Sequence, residues 1–217
     1  MSVATGISRA TEDSLTDLPG GPLWLTRLAN LADHVDRDAL LRDERASEPP
    51  YWAHLWPAAL ALARLVANAG ARLDGRRVLE VGCGLGVPAL VAARCGAAVV
   101  LTDRNVAAAR FANRNLRRNG LHGSVAVMDW RQPAICGPFD LCLAADVTYD
   151  PTANERLMDF LIGALASDGE AWIAESVRAE EATLPQLMKR HFAVHEQRLI
   201  EIEDGHRVWV RVLQGRR

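Results

Sequence analysis

Short apolar runs alternate with longer amphipathic stretches through most of this chain. The predicted strands are 77–81, 98–102, 124–128, 139–144 and 170–175, and the predicted helices are 58–69, 87–95, 105–119 and 152–166. Strands that alternate with helices indicate βαβ units and a mostly parallel sheet with helices on both faces. The pattern therefore predicts an α/β fold.

The two ends of the chain follow other patterns. Near the C-terminus, apolar stretches at 192–202 and 207–213 flank Asp204-Gly205, a dipeptide typical of tight hairpin turns. At the other end, we expect a flexible terminus over 1–21 and a helical segment over 22–70. The helical prediction depends on the spacing of apolar residues at 23–35, and 36–50 is expected to be a connector. We predict one domain over 22–217 with its core at 76–213.

Three glycines follow the first strand of the core. The apolar run that contains Val78 leads into Gly82, Gly84 and Gly86, and an alanine-rich helical stretch comes next. A strand, a glycine turn and a helix together form a site for an anionic group, because the helix offers unpaired N–H groups there. The alternative is a glycine turn in a βαβ unit that binds nothing.

Two acidic residues make this interpretation more specific. Glu80 stands two residues before the glycines, and Asp103 ends the second strand, where an acid can accept hydrogen bonds from ribose hydroxyls. With the spacing G-x-G-x-G, this stretch resembles the first motif of class I S-adenosylmethionine-dependent methyltransferases. The resemblance implies a Rossmann-like, mostly parallel seven-stranded sheet with a C-terminal antiparallel hairpin. It also implies S-adenosyl-L-methionine as cofactor, with S-adenosyl-L-homocysteine as product.

The resemblance extends along most of the chain and suggests which residues bind the cofactor. After the third strand, an acid and an aromatic residue in the family contact the adenine, and here Asp129-Trp130 stand at that place. The alternative for Trp130 is packing against a neighbouring helix. The expected cofactor-binding residues are Trp56, Glu80, Gly82, Cys83, Gly84, Gly86, Asp103, Arg104, Asp129, Trp130 and Ala145.

Two further motifs point to the acceptor. Asp146 and Tyr149 form a D-x-x-Y sequence after the fourth strand, which resembles seven-β-strand protein-lysine methyltransferases and differs from the [ND]-P-P-[YFW] motif of enzymes that methylate bases. Residues 51–57 look like the segment that precedes the glycines in enzymes methylating the electron transfer flavoprotein β subunit, where Trp56 matches a tryptophan of the cofactor site. The resemblance implies a protein-lysine N-methyltransferase with Asp146 and Tyr149 as catalytic residues.

Several alternatives remain open at this stage. The enzyme could instead methylate a nitrogen or oxygen of a small molecule, or the domain could bind the cofactor without catalysis. Asp146 would orient the acceptor amine, or it would only cap the next helix. His54, between two tryptophans, is either a base or a packing residue. Arginines at 110, 114, 117 and 118 form a basic stripe, interpreted as a solvated helix face or a docking face for an acidic protein.

Composition narrows the range of partners. The 217 residues carry a formal net charge of −2, which gives no electrostatic reason to expect nucleic acid or a membrane as a partner. The four cysteines lack metal-binding or disulfide spacing, so no metal is predicted. We expect a cytoplasmic monomer or weak dimer that acts on a protein, with the electron transfer flavoprotein β subunit as one candidate and a small molecule as the second.

Overall fold

The computed structural model describes residues 11–29, 31, 49–148, 151–177 and 183–217, and only the backbone of 151 and 152. The predicted connector at 36–50 thus lies mostly outside the described residues, and Tyr149 lies wholly outside them. No helix in the described part of the chain is long and apolar enough to cross a membrane.

A seven-stranded sheet forms the centre of the molecule. Its order is β5-β4-β3-β6-β7-β9-β8. The first five strands in this order are parallel, and β9 pairs antiparallel with both β7 and β8. The strands of this sheet are β3 (Arg77–Val81), β4 (Ala98–Asp103), β5 (Gly123–Val127), β6 (Phe139–Ala145), β7 (Leu165–Ser176), β8 (Ala193–Glu203) and β9 (His206–Arg216). The predicted mostly parallel sheet with a C-terminal hairpin is confirmed.

Helices cover both faces of this sheet. They are α1 (Pro57–Ala69), α2 (Val87–Arg94), α3 (Val106–Arg118), α4 (Pro151–Ala164) and α5 (Leu184–Lys189). Neighbouring residues of β3 point to opposite faces: Val78 packs in a core with α1, α2 and α3, and Leu79 packs in a second core with α4 and α5. This arrangement places the carboxyl ends of the parallel strands along one edge, where the predicted site residues lie.

Local sequence signals set several of these boundaries. Helix α1 has Pro57 in its first turn and ends at Gly70, which has a positive φ of 52°. The C-terminal hairpin turns at Asp204 and Gly205, with φ values of 48° and 79°. Both features agree with the predictions from these residues.

Two of the N-terminal predictions were wrong over residues 11–28. Residues expected to be flexible form β1 (Thr11–Thr16), and residues expected to be helical form β2 (Leu23–Leu28), which pairs with β1 in a separate antiparallel sheet. In β2 the buried Leu23 and Leu25 flank the exposed Trp24, so the same leucines also fit the period of a strand. Pairing with β1 and packing on α3 favour the strand over the helix.

Asn115 of α3 attaches the N-terminal strands to the core. This fully buried side chain accepts the N–H of Thr26 at 2.8 Å and donates to the backbone oxygen of Leu85 at 3.1 Å. On the same helix, Arg114 and Arg118 form ion pairs with Asp13. Two of the four arginines of the predicted basic stripe therefore form ion pairs within the molecule.

Asn115→Ala should lower the free energy of unfolding by about 2–3 kcal/mol, because it leaves the amide of Thr26 and the carbonyl of Leu85 buried without this partner. Urea denaturation measures the loss. The matched control is Asn113→Ala on the same helix, which should cost less than about 1 kcal/mol because the half-buried Asn113 makes no side-chain hydrogen bond within the described residues. Equal losses in the two variants would contradict the role given to Asn115.

Candidate functional site

A cavity of about 400 Å³ opens at the carboxyl ends of the parallel strands. Ligands of open α/β sheets bind at this edge. The walls come from the segment before α1, the glycine turn and the ends of β4 and β6. The lining residues are Pro49, Tyr51, Trp52, His54, Leu55, Trp56, Ala59, Glu80, Gly82, Cys83, Gly84, Leu85, Val87, Asp103, Arg104, Asn105, Trp130, Ala145, Asp146 and Val147.

Two glycines allow the walls of this cavity to approach each other. Gly84 has a φ of +51°, and a Cβ built there would lie 2.7 Å from the backbone oxygen of Trp52. Gly82 has a φ of +62°, and a Cβ there would lie 2.5 Å from Cγ1 of Val147. Only glycine meets both demands without strain. The glycine turn is therefore required by backbone conformation and by close packing on both sides.

Asp103 joins the ends of two neighbouring elements at the cavity. The residue is 7% exposed, its Oδ2 accepts the N–H of Gly84 at 3.0 Å, and its Oδ1 accepts the N–H of Asn105 at 2.8 Å. A carboxylate can accept about four hydrogen bonds, so holding two amides is compatible with accepting hydroxyl groups of a ligand. The position agrees with the expected ribose contact, and the contact itself stays a prediction.

Glu80 lies beneath the glycine turn. It is 2% exposed, and its Oε2 accepts the N–H of Ala89 at 2.8 Å, in the first turn of α2. Burial raises the pKa of Glu80 to about 8, the hydrogen bond from Ala89 opposes this rise, and the charge of Asp103 adds to it. Glu80 is therefore mainly protonated at pH 7, and it holds α2 in place as a neutral group.

Aromatic side chains form much of the remaining wall. Trp56 directly precedes α1, and its Nε1 donates to the backbone oxygen of Tyr51 at 2.8 Å. The ring of His54 meets Trp56 edge to face, with ring centroids 4.6 Å apart. On another side, Nε1 of Trp130 is buried and has no hydrogen-bond partner among the described residues. A buried N–H of this kind is stabilised when a bound ligand offers an acceptor.

Asp146 is held firmly at the end of β6. Its Oδ1 accepts the N–H of Ser176 at 2.7 Å, and its Oδ2 accepts the hydroxyl of Ser176 at 2.8 Å. Its φ of 50° is unusual for a residue with a side chain, and such conformations cluster at functional sites. Asp146 lies five residues before Pro151, the first residue of α4, so it does not occupy the N-cap position. The structure thus favours a role in the cavity over simple capping.

The structure does not bring every predicted residue to the cavity. Gly86 lies at the start of α2, where a Cβ would meet Cδ2 of Leu101 at 2.6 Å, so its place is in the packing of helix against strand. The carboxylate of Asp129 turns to Arg131, with two contacts of 2.9 Å to its Nε. This hydrogen bonding lowers the pKa of Asp129. Gly86 and Asp129 are not among the residues that line the cavity, and their predicted contacts with the cofactor stay predictions.

The remaining predicted residues line the cavity in different ways. Ala145 ends β6 and forms a small apolar wall, and the exposed Arg104 follows Asp103 at the rim. Cys83 is buried, and burial raises the pKa of its thiol well above the ordinary value, with the carboxyl groups of Glu80 and Asp103 adding to the rise. Cys83 is thus a neutral wall residue at pH 7, and its chemistry gives no reason to expect a nucleophile.

Sequence reasoning missed part of the wall. Trp52, Tyr51 and Asn105 line the cavity although no site role was predicted for them, and His54 lines it beside Trp56. All but Asn105 belong to the segment 51–57, whose aromatic composition was the available signal. The part of the chain that the structure describes contains no cluster of three or more His, Cys, Asp or Glu residues able to hold a metal ion.

Comparison with known proteins identifies the family. A sequence model described as lysine methyltransferase, methyltransferase family 16, matches residues 36–190. The chain belongs to this family. Family membership confirms the resemblance inferred from the glycine motif and Asp146, and it makes S-adenosylmethionine the expected ligand of the cavity.

Two relatives of this chain have names that state different acceptors, arginine in one and lysine in the other. Histone-arginine methyltransferase METTL23 of Xenopus laevis is 30% identical over 148 residues, which are 64% of this chain and 63% of the relative. Electron transfer flavoprotein beta subunit lysine methyltransferase of Danio rerio is 36% identical over 113 residues, 52% of this chain and 44% of the relative. The chain therefore matches less than two thirds of the length of either relative.

A solved structure supports the fold assignment. The Thermus thermophilus 16S rRNA N2 G1207 methyltransferase, in complex with AdoMet and guanosine, superposes with a TM-score of 0.69 at 18% identity, covering 100% of this chain and 53% of that one. A likeness at this identity concerns the fold alone. The fold is that of the class I methyltransferases, as the sequence predicted.

The residues of the cavity fit S-adenosylmethionine. The cavity volume of about 400 Å³ is within the range of small-molecule sites. The carboxylate of Asp103 suits ribose hydroxyls, the buried Nε1 of Trp130 suits an acceptor, and the aromatic rings offer faces for an adenine or a cation. The glycine turn keeps Cβ atoms out of the space between them.

Glu80→Gln should remove one source of pH-dependent stability. The folded state retains the Glu80 proton up to a pH of about 8, whereas the unfolded state loses it near 4.5. Between these values the folded state binds more protons, so the wild-type free energy of unfolding should fall with rising pH, by at most about 1.4 kcal/mol per pH unit from this group. Glutamine stays neutral and can still accept the N–H of Ala89 through its amide oxygen.

Urea unfolding of both proteins at about pH 5.5 and about pH 8 measures the difference. The control is Glu155→Gln, which changes an exposed carboxylate on α4 and should leave the wild-type pH dependence intact. If wild type and Glu80→Gln lost stability in parallel as the pH rises, Glu80 would not carry the buried proton assigned to it.

Proposed function

We propose that this protein is an S-adenosylmethionine-dependent methyltransferase that methylates the ε-amine of a lysine in a protein. The observation that carries the proposal is the position of Asp146, which is fixed by Ser176 in the same cavity as Asp103 and the glycine turn. A carboxyl side chain beside the space expected for the cofactor supports the binding of a basic acceptor there. The matching family description and the Danio rerio relative support lysine as the acceptor.

The residues suggest how the reaction would be arranged. Asp103 and Trp130 would bind the nucleoside part of the cofactor, and Trp56 would close the cavity from the segment before α1. The bound cofactor supplies a methyl group already activated by its sulfonium. Catalysis then depends mainly on orienting the amine and excluding water. Asp146 would hold the amine, with Tyr149 as the predicted second residue of this motif.

A protein is the proposed acceptor, and the electron transfer flavoprotein β subunit is one candidate, suggested by the name of one relative. The name of the other relative favours arginine as a second candidate acceptor. Both side chains end in a cationic nitrogen group that a carboxylate such as Asp146 would attract. The residue that carries the label distinguishes them.

Asp146→Asn is expected to slow methyl transfer strongly while cofactor affinity is retained. The host cell lysate is incubated with the purified protein and tritiated-methyl S-adenosylmethionine. The mixture is then separated into protein and small-molecule fractions, and the labelled protein band is hydrolysed to identify methyllysine or methylarginine. Asparagine can still accept the N–H of Ser176 through its oxygen, so the loop should keep its position. We expect the initial rate to fall about a hundredfold or more, because the acceptor loses the group that aims it.

The matched control for this variant is Asp159→Asn, an exposed aspartate on α4, which should label the same band at the wild-type rate. Full activity of Asp146→Asn would refute the role of this carboxylate. Label in the small-molecule fraction alone would show that the acceptor is not a protein. Cofactor binding without any transfer would favour a binding module.

Asp103→Ala should weaken the binding of S-adenosylhomocysteine by about 1–3 kcal/mol, because the ligand hydroxyls lose their acceptor. Isothermal titration calorimetry measures the affinity. Asp103→Asn is the companion variant, since its amide oxygen can still hold one of the two backbone amides, and its loss should be smaller. Unchanged affinity of Asp103→Ala would rule out the ribose contact.

A further inference from the structure

Three large apolar side chains are exposed on one face of the C-terminal hairpin. Ile200 and Ile202 of β8 are 37% and 59% exposed, and Trp209 of β9 is 52% exposed. Ile200 and Trp209 are paired across the two strands, and Ile202 lies two residues further along β8, on the same face. The three side chains therefore form one contiguous surface, which we call the hairpin patch.

The opposite face of the hairpin is fixed to the rest of the molecule. Glu201, between the two isoleucines, is 7% exposed, and both of its carboxylate oxygens accept hydrogen bonds of 3.1 Å from Nη2 of Arg64 in α1. Oε1 of Glu203 lies 2.8 Å from Nε2 of His54, in the segment before α1. These contacts hold the hairpin in place from one side, and the hairpin patch faces the side that α1 does not cover.

The hairpin patch lies close to the carboxylate that is proposed to hold the acceptor. Ser176 donates to both oxygens of Asp146 and is paired with Val210 on β9. The next residue, Val177, donates its N–H to the backbone oxygen of Trp209 at 2.8 Å. Neighbouring strands are about 5 Å apart, so the backbone of Trp209 lies within about 10 Å of the carboxylate of Asp146. An extended chain spans this distance in about three residues.

An exposed cation borders the hairpin patch. Arg207 is exposed and is paired with Ile202 across the hairpin. Four further charged side chains on this face form ion pairs with one another, Arg211 with Glu175 at 2.7 Å and Arg198 with Glu196 at 3.9 Å. The charges within these pairs largely cancel, whereas Arg207 adds a positive charge at the edge of the patch. The surface beside the cavity thus combines apolar side chains with a cation.

This composition is unusual for strand positions that face water. Such positions are ordinarily polar, and a contiguous exposed apolar patch with a polar border marks an interaction site. A cavity of about 400 Å³ can hold a small molecule such as the cofactor together with the end of one side chain. The rest of a protein acceptor would lie against the surface around the mouth of the cavity, where the hairpin patch is found.

We propose that the hairpin patch binds the protein acceptor through an apolar side chain a few residues from the methylated residue, with an acidic residue beside it that faces Arg207. This inference rests on the proposed function, because it gives the acceptor protein its docking surface. Burial of Trp209 and Ile202 would supply most of the affinity, since aromatic side chains dominate the energetics of interfaces. The charge of Arg207 would select acidic neighbours over basic ones.

The first test separates docking from chemistry by changing two residues of the patch. The initial rate of labelling of the host-lysate protein band is measured over a dilution series of the lysate for wild type, Trp209→Ala and Ile202→Thr. We expect the apparent KM for the labelled protein to rise about tenfold in Trp209→Ala and about threefold in Ile202→Thr, with the saturated rate unchanged. Threonine keeps the β-branched shape that suits a strand.

The controls for these variants exclude a general effect of lost apolar surface. Leu15→Ala changes a side chain that is 56% exposed on β1, in the separate N-terminal sheet, and should follow wild type. Each variant should bind S-adenosylhomocysteine with wild-type affinity in calorimetry. An unchanged apparent KM in both patch variants would overturn the inference, and so would a rate that falls equally at every lysate concentration.

The second test concerns the charge of Arg207. Arg207→Glu should raise the apparent KM about fivefold at low salt, and added sodium chloride should reduce the difference from wild type. Arg207→Lys keeps the charge and should stay close to wild type. Arg216→Glu, an exposed position at the other end of β9, is the control. Equal KM values for Arg207→Glu and wild type would overturn the acidic partner.

The outcome for wild type separates this inference from the proposed function. If wild type labels a protein band and the patch variants match it, docking on the hairpin is wrong and the proposed function stands. If wild type labels no protein, the proposed function fails and the inference fails with it. Sedimentation velocity at the assay concentration tests a second copy of the chain as the occupant. A dimer that Trp209→Ala dissociates would overturn the assignment to the acceptor.

Discussion

The carboxylate of Asp103 is the group on which the geometry of the cavity depends. One oxygen holds the amide of Gly84 in the glycine turn, and the other holds the amide of Asn105, whose side chain in turn accepts the N–H of Ala107 to cap α3. A largely buried carboxylate is costly unless donors surround it. Because the donors here come from two different elements, satisfying this charge fixes the end of β4, the turn after β3 and the start of α3 together.

Features set by neighbouring residues could be predicted from the sequence. The glycine turn, the start of α1 at Pro57 and the Asp204-Gly205 hairpin each follow from backbone preferences within a few residues. The N-terminal strands could not be predicted in this way. The backbone of Thr26 bonds to the side chain of Asn115, which is 89 positions away, and this partner is invisible in the local pattern of leucines.

The same distinction applies to the site. Parallel strands end at one edge of the sheet, so residues at or just after the strand ends were expected there. Trp130, Ala145 and Asp146 do line the cavity at that edge. Position after a strand did not predict side-chain contacts: the carboxylate of Asp129 accepts hydrogen bonds from Arg131, two residues later, and Asp129 is not among the residues that line the cavity. At His54 the sequence near the residue indicates no hydrogen-bond partner. The fold brings Glu203, 149 positions away, to within 2.8 Å of its Nε2.

The carboxyl groups of the cavity affect the pKa of any amine that binds there. Each carboxylate near an amine raises the pKa of its ammonium form and so reduces the fraction able to attack. Asp103 accepts hydrogen bonds from the amides of Gly84 and Asn105, and Asp146 accepts hydrogen bonds from the amide and hydroxyl of Ser176. These donors stabilise the two carboxylates and take up part of their charge. Glu80 is buried deeply enough to stay protonated at pH 7, so it adds no third negative charge. A cavity arranged in this way can attract a cation while raising the pKa of that cation less than three ionised carboxylates would.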